Sequence, residues 1–120
     1  MSSAADRRWK RMKVDVRVKL WLDPAGEGSA VVVRSYEMGQ GGMSVYAPEQ
    51  IELGALVVVG FAFSASAKAL RFPAIVRNKR GFRYGLEFVD TSDAERAELA
   101  RYLEPLGQEL TGPRADAASV

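Results

Sequence analysis

Residues 14 to 22 read Val14-Asp15-Val16-Arg17-Val18-Lys19-Leu20-Trp21-Leu22, with an apolar side chain at every second position. A period of two is the spacing of a β-strand with one buried face, and no helix keeps such a pattern on one side. The run predicts an opening strand, and the chain then repeats the theme. Asp23-Pro24-Ala25-Gly26 supplies turn residues, and Ser29 to Glu37, with Val31, Val32 and Val33, reads as the hairpin partner. Gly39, Gly41 and Gly42 interrupt before Met43, Val45 and Ala47 alternate again, and Pro48 closes that short strand. Ala55 to Phe63 and Lys68 to Asn78 are two further β-rich runs. A tight loop from Asn78 to Gly81 leads into a last strand, Phe82 to Val89. Six short strands in succession predict a mainly β fold, a closed or nearly closed six-stranded antiparallel barrel without exposed edges.

The period changes after Asp90. Ser92 and Glu95 stand at capping-box spacing, and Ala94, Ala97, Leu99, Tyr102, Leu103 and Leu106 follow at helical spacing, so a C-terminal α-helix is predicted, ended by Pro105 and Gly107. Three segments follow from this pattern: a flexible basic arm over residues 1–12, the barrel with its helix over 13–105, and a mobile polar tail over 106–120.

Composition removes most enzyme chemistry. The 120 residues include no cysteine and no histidine, which excludes disulfides, thiolate metal sites, cysteine nucleophiles and imidazole bases. The remaining Ser, Lys, Asp and Glu show no triad or metal-ligand spacing, so neither a catalytic residue nor a metal site is expected. The longest uncharged stretch, Leu53 to Ala67, contains Gly54, Gly60, Ser64 and Ser66 and falls short of the ~18 apolar residues of a membrane span. The N-terminus is polar and then basic, unlike a secretory signal, and a cytoplasmic location is expected.

Net charge is only +2, yet it is unevenly spread. Residues 1 to 20 carry Arg7, Arg8, Lys10, Arg11, Lys13, Arg17 and Lys19 against Asp6 and Asp15. Residues 87 to 109 carry seven acids against Arg96 and Arg101. Between Leu53 and Leu86 there is no acid at all, while Lys68, Arg71, Arg77, Lys79, Arg80 and Arg83 are present. Such a distribution favours an anionic partner near the N-terminal arm. Arg77, Lys79, Arg80 and Arg83 surround a hairpin tip and read as a solvated loop, and Trp21 reads as a packing element.

Two motifs, in order, resemble those of the PilZ domain family. Arg7 and Arg11, within Asp6-Arg7-Arg8-Trp9-Lys10-Arg11, have the spacing of its RxxxR motif before the first strand. Glu37-Met38-Gly39-Gln40-Gly41-Gly42 lies where its D/N-x-S-x-x-G motif follows the second. Arg83-Tyr84-Gly85-Leu86-Glu87-Phe88-Val89-Asp90 followed by a helix is similar to the end of the family's barrel. Glu37 replaces the usual Asp or Asn, Gly39 replaces Ser, and Gly42 matches.

The resemblance implies a non-enzymatic receptor for cyclic di-GMP, held by Arg7, Arg8, Arg11, Glu37, Gly39, Gly41 and Gly42, with no further cofactor. Arginine suits this ligand because a planar guanidinium forks onto phosphate, pairs with guanine O6 and N7, and stacks on purines. Glu37 would accept from the guanine N1–H and N2–H₂ edge, and Gly41 and Gly42 would admit backbone N–H groups close to the ligand. Ligand binding would order the arm and present a changed surface to a protein effector, in second-messenger control of processes such as motility or biofilm formation. The alternative is a nucleotide-independent PilZ-like interaction module, for example in type IV pilus or motility control. Single-stranded nucleic acid ranks last as a partner, because few aromatic platforms accompany the basic strands. Restoring the family residue by Gly39→Ser is expected to strengthen binding, provided position 39 does not require positive φ.

Overall fold

Six strands close on themselves in the computed structural model, which describes residues 10–106 and 108–109. In chain order the strands are β1 (Met12–Lys13), β2 (Arg17–Trp21), β3 (Val31–Gly39), β4 (Gly42–Tyr46), β5 (Leu56–Phe61), β6 (Leu70–Arg80) and β7 (Arg83–Phe88). Helix α1 (Asp93–Leu106) and β8 (Gln108–Glu109) follow. The hydrogen-bonded order β2-β5-β6-β7-β4-β3 returns to β2 through antiparallel β2–β3 pairing. The expected six-stranded barrel with a C-terminal helix is therefore the observed fold.

Alternation puts Val18, Leu20, Val33, Val45, Val57, Val59, Phe72, Ala74, Val76 and Leu86 inside, all nearly or fully buried. Tyr84 is buried with them, and its hydroxyl donates to the Glu49 carbonyl at 2.8 Å and accepts from the Ile51 N–H at 3.1 Å. A buried phenol left without partners would be costly, so this pairing fixes the loop after β4 against the core. Leu99 and Leu103, one turn apart on α1, complete the core, and Tyr102 stacks on Phe63 with ring centroids 5.3 Å apart. The capping box is present: Ser92 N–H donates to Glu95 Oε1 at 2.8 Å, and Glu95 N–H donates to Ser92 Oγ at 3.0 Å. Ala94 and Ala97, expected on the apolar face, are exposed instead. Their small side chains add little burial, and the leucines set the helix rotation.

The opening strand is shorter than its alternation suggests. Ser35 is buried, and its hydroxyl donates to the Val14 carbonyl and accepts from the Val16 N–H. A side chain thus takes backbone partners where a ladder would otherwise run, so Val14 to Val16 stay outside the ladder and β2 begins only at Arg17, apart from β1. Met12 and Lys13 lie opposite Met38 and Glu37 of β3, and on their other side opposite Glu109 and Gln108 of β8. Part of the expected arm and part of the expected tail therefore pair beside the barrel wall. The last hairpin is tighter than expected: Arg80 pairs with Arg83, leaving Gly81 and Phe82 as the turn, with Gly81 at φ +63°.

Two irregularities shape the outer wall. Register shifts between Ser35 and Glu37 in β3 and between Val76 and Asn78 in β6, leaving Tyr36 and Arg77 as inserted residues. A β-bulge breaks strict alternation, so neighbouring residues turn to the same side. Tyr36 and Glu37 thus both reach the outer wall, and so do Arg77 and Asn78.

Candidate functional site

Between the two bulges lies a concavity of about 560 Å³, formed by the outer faces of β3, β4, β7 and β6, with Arg11 reaching it from the segment before β1. That volume is within the ~300–1,000 Å³ of typical small-molecule sites. Register explains its shape. Glu37, Ser44, Gly85 and Asn78 lie directly opposite one another on β3, β4, β7 and β6. Small residues hold the middle of this row and longer ones its ends. A Cβ on Gly85 would meet the Asn78 amide at 2.6 Å, so glycine is what lets Asn78 lie over the floor.

Arg11 and Glu37, 26 residues apart in sequence, meet here: Arg11 Nη1 donates to Glu37 Oε2 at 2.7 Å, with both side chains about one-fifth exposed. Ser44 Oγ stands 3.5 Å from the same oxygen. On the opposite side Lys79 donates to Gln50 Oε1 at 2.7 Å, and Arg83 lies over the Tyr36 ring, 4.7 Å from its centroid. Arg80 has no hydrogen-bond or ion-pair partner among the described residues. The concavity therefore offers guanidinium groups, an ammonium and one carboxylate around a floor without bulk, a donor-rich surface suited to a planar, anionic ligand.

Of the residues singled out in the sequence, Arg11 and Glu37 line this concavity, while Arg7 and Arg8 lie outside the described residues. The glycines have other duties. Gly42 sits against β7 so closely that a Cβ would overlap the Leu86 carbonyl oxygen. Gly41 belongs to the turn between β3 and β4, and its carbonyl accepts the Phe88 N–H at 2.9 Å. Gly39 has no positive φ, yet a Cβ there would overlap the Lys10 carbonyl oxygen, because the segment before β1 crosses directly over it. The condition set for Gly39→Ser is met, but a second obstacle replaces it.

Lys79, Arg80 and Arg83, read from sequence as a solvated hairpin tip, line the concavity, whereas Arg77 pairs outside it with Glu87. The signal that pointed to them was the acid-free run with six basic residues. A strand pattern alone does not reveal which strand lies next door, so that run does not by itself locate a site. Trp21 is a packing residue as expected, seated on Gly60 with the Arg71 guanidinium 4.2 Å from its ring centroid. Among the described residues no group of three or more acids forms a metal-ligand cluster, and no helix is long and apolar enough to cross a membrane.

The chain is thus a six-stranded barrel with a cation-rich concavity on its outer wall and a basic segment laid beside it. The PilZ domain family profile matches residues 5–104, and the chain belongs to that family, whose domains are receptor and adaptor modules. Solved structures agree on the fold. The PilZ domain with c-di-GMP of YcgR from Escherichia coli aligns with a TM-score of 0.67 at 18% identity, covering 95% of this chain and 98% of that one. The PilZ domain of CeSA from a cellulose-synthesizing bacterium gives 0.62 at 14% identity, covering 80% and 96%. The Bacillus subtilis inhibitor of motility MotI/DgrA gives 0.62 at 15% identity, covering 80% of this chain and 48% of that one. No curated protein matches the chain.

Proposed function

We propose that this PilZ domain is a cyclic di-GMP receptor and adaptor, with Arg11, Glu37 and Arg80 in direct contact with the ligand and Arg7, Arg8, Gly39, Gly41 and Gly42 contributing from the arm and the adjoining turn. The observation that carries the reading is the convergence of Arg11 and Glu37, one from each motif, on one concavity with Lys79, Arg80 and Arg83. The YcgR domain, similar in fold, holds c-di-GMP in its structure.

The pairing of Arg11 with Glu37 provides a way for binding to become a signal. Arg11 and Glu37 occupy each other, so neither is free for phosphate or guanine until their ion pair opens. The ion pair can open when both ends find new partners, since each charge-assisted bond to the ligand contributes ~1.5–3 kcal/mol. Exchange of partners is favourable, and it lifts the segment at Lys10 and Arg11 off Gly39. An adaptor that moves its arm in this way presents a different surface to an effector in the cytoplasm, without catalysis. Calorimetric titration with cyclic di-GMP, against GTP and cyclic di-AMP, tests the reading. Selective heat with the first is expected, and no heat from any of the three rejects it in favour of a nucleotide-independent interaction module.

A further inference from the structure

One cross-strand row of the outer wall is almost entirely arginine. Arg80 of β6 lies opposite Arg83 of β7, Arg83 opposite Tyr46 of β4, Tyr46 opposite Arg34 of β3, and Arg34 opposite Arg17 of β2. Directly opposed residues share a face, so five adjacent strands turn four guanidinium-bearing side chains and one phenol outward along one line. With strands ~4.8 Å apart, the row runs roughly 19 Å around the barrel. Like charges directly opposite each other destabilise a sheet, and Arg80 with Arg83 and Arg17 with Arg34 are two such pairs. The one acid paired with the row among the described residues is Asp15, which holds Arg34 at 2.9 Å through side chains that are mostly exposed, 71% and 54%. The core needs none of these residues.

We propose that this row is the docking surface for an extended acidic segment of a partner protein, one in which two carboxylates flank an apolar residue. The proposal deepens the adaptor reading and rests on it. Charge complementarity sets the sign of the partner. The use of arginine throughout favours carboxylate forks. The centre of the row sets the pattern: Arg83, Tyr46 and Arg34 stand on adjacent strands as cation, aromatic, cation. An extended chain presents alternate side chains ~6.7 Å apart on one face, and the long arginine side chains on either side of Tyr46 can reach across the difference from the ~4.8 Å strand spacing, so acid-x-apolar-x-acid fits that triad. Tyr46 is 45% exposed and supplies the apolar anchor, with Val32 of β3, 58% exposed, further along the same wall. A nucleic-acid strand fits less well. Arg83 covers the face of Tyr36, and Tyr46 meets Tyr36 edge-on at 5.6 Å, so within the row few flat ring faces remain for bases, and the exposed Phe82 ring stands at the hairpin tip beyond its end.

Arg80 and Arg83 also line the nucleotide concavity, whereas Arg34 and Tyr46 do not. The two sites therefore touch, and the outer half of the docking row can be altered alone. The test is fluorescence anisotropy on the full chain with a labelled peptide centred on Glu-Ser-Leu-Ser-Glu, beside the same peptide with Leu replaced by Ser, the same peptide with Glu replaced by Lys, and an oligothymidine. The first peptide is expected to bind tightest. Arg34→Glu is expected to weaken it at least about tenfold and Tyr46→Ser several-fold, while Arg101→Glu, on exposed α1, leaves it unchanged; each tenfold step corresponds to about 1.4 kcal/mol. Both weakened variants are expected to bind cyclic di-GMP as the parent does. Equal binding of the two Glu peptides, indifference to Arg34→Glu, or preference for oligothymidine overturns the proposal. Nucleotide binding without peptide binding rejects the docking row alone, and peptide binding without nucleotide binding rejects the receptor reading alone.

Discussion

On one side of the barrel Arg71 lies over the indole of Trp21; on the other Arg83 lies over the ring of Tyr36. Both arginines border outer-wall hollows, of about 730 Å³ beside Trp21 and about 560 Å³ between the bulges. Size alone favours the first. The arginines' remaining contacts separate the two. Arg71 also donates to the Gly26 carbonyl, so it ties the β2–β3 turn to the indole, and Gly60 provides the flat seat beneath that ring. Its cation already has work to do in the folded chain. Between the bulges, the side chains of Arg83 and Arg80 have no hydrogen-bond or ion-pair partner among the described residues, and Arg11 is held by Glu37, the acid we propose meets the ligand. An arginine beside an aromatic ring indicates a ligand surface only when structure leaves its donors available.

That contrast breaks most visibly through paired substitutions. Arg11→Ala is expected to weaken cyclic di-GMP by about ten- to a hundredfold, the loss of one charge-assisted contact worth ~1.5–3 kcal/mol, with a smaller effect on melting temperature because Arg11 lies outside the barrel core. Trp21→Ala is expected to do the reverse. A half-buried indole contributes on the order of 2 kcal/mol, so melting should fall by roughly 10 °C while the folded fraction keeps its affinity. Calorimetry and thermal denaturation on both variants decide it. Loss of nucleotide binding in the Trp21 variant at a temperature where it stays folded would erase the distinction between the two walls.

A smaller effect sharpens the same line. Arg80→Ala is expected to weaken nucleotide binding several-fold with no change in stability, since the side chain has no hydrogen-bond or ion-pair partner to lose among the described residues. Arg71→Ala is expected to cost about 1 kcal/mol of stability, from the lost carbonyl bond and ring contact, with no change in affinity. The reverse assignment would show that the hollow beside Trp21 is the one that takes the ligand.

The barrel was legible from sequence because its strands alternate strictly and end at turn residues, and the capping box at Ser92 and Glu95 marked the helix start without ambiguity. The bulges were not. Tyr36 and Arg77 sit in ordinary β-sequence, and only pairing with a neighbouring strand shows that each is one residue too many. The same limit hid Lys79, Arg80 and Arg83. A single strand's pattern says which face a residue takes, but the concavity is a row of residues drawn from four strands, and register between strands distant in sequence is set by closure of the whole barrel. The two-residue pairing of β1 with β8 leaves no periodic signal at all, being too short for a period to repeat.

The smallest expected effect concerns Gly39, where the chain departs from its family and where the structure adds a displacement of the arm to a simple expectation. Serine would add a hydroxyl for the ligand, a contact worth ~0.5–1.5 kcal/mol, and the backbone at 39 accepts a side chain without strain of φ. The Lys10 carbonyl, however, occupies the space of the new Cβ, and backbone cannot swing aside as a flexible side-chain end can. In the free protein Gly39→Ser must push the segment before β1 outward and loosen the Met12–Met38 and Lys13–Glu37 pairing. Amide hydrogen exchange at residues 11–13 should quicken, while the barrel strands keep their protection, because the barrel closes through β2 rather than β1. Affinity then depends on two terms of opposite origin that act in the same direction: the added hydroxyl, and an arm already displaced from the resting position it must leave. A gain of a few-fold in cyclic di-GMP affinity together with faster exchange at residues 11–13 supports the partner exchange at Arg11 and Glu37. A gain in affinity with exchange unchanged would mean that the segment never rests on Gly39 in solution, and the resting contact would then play no part in the switch.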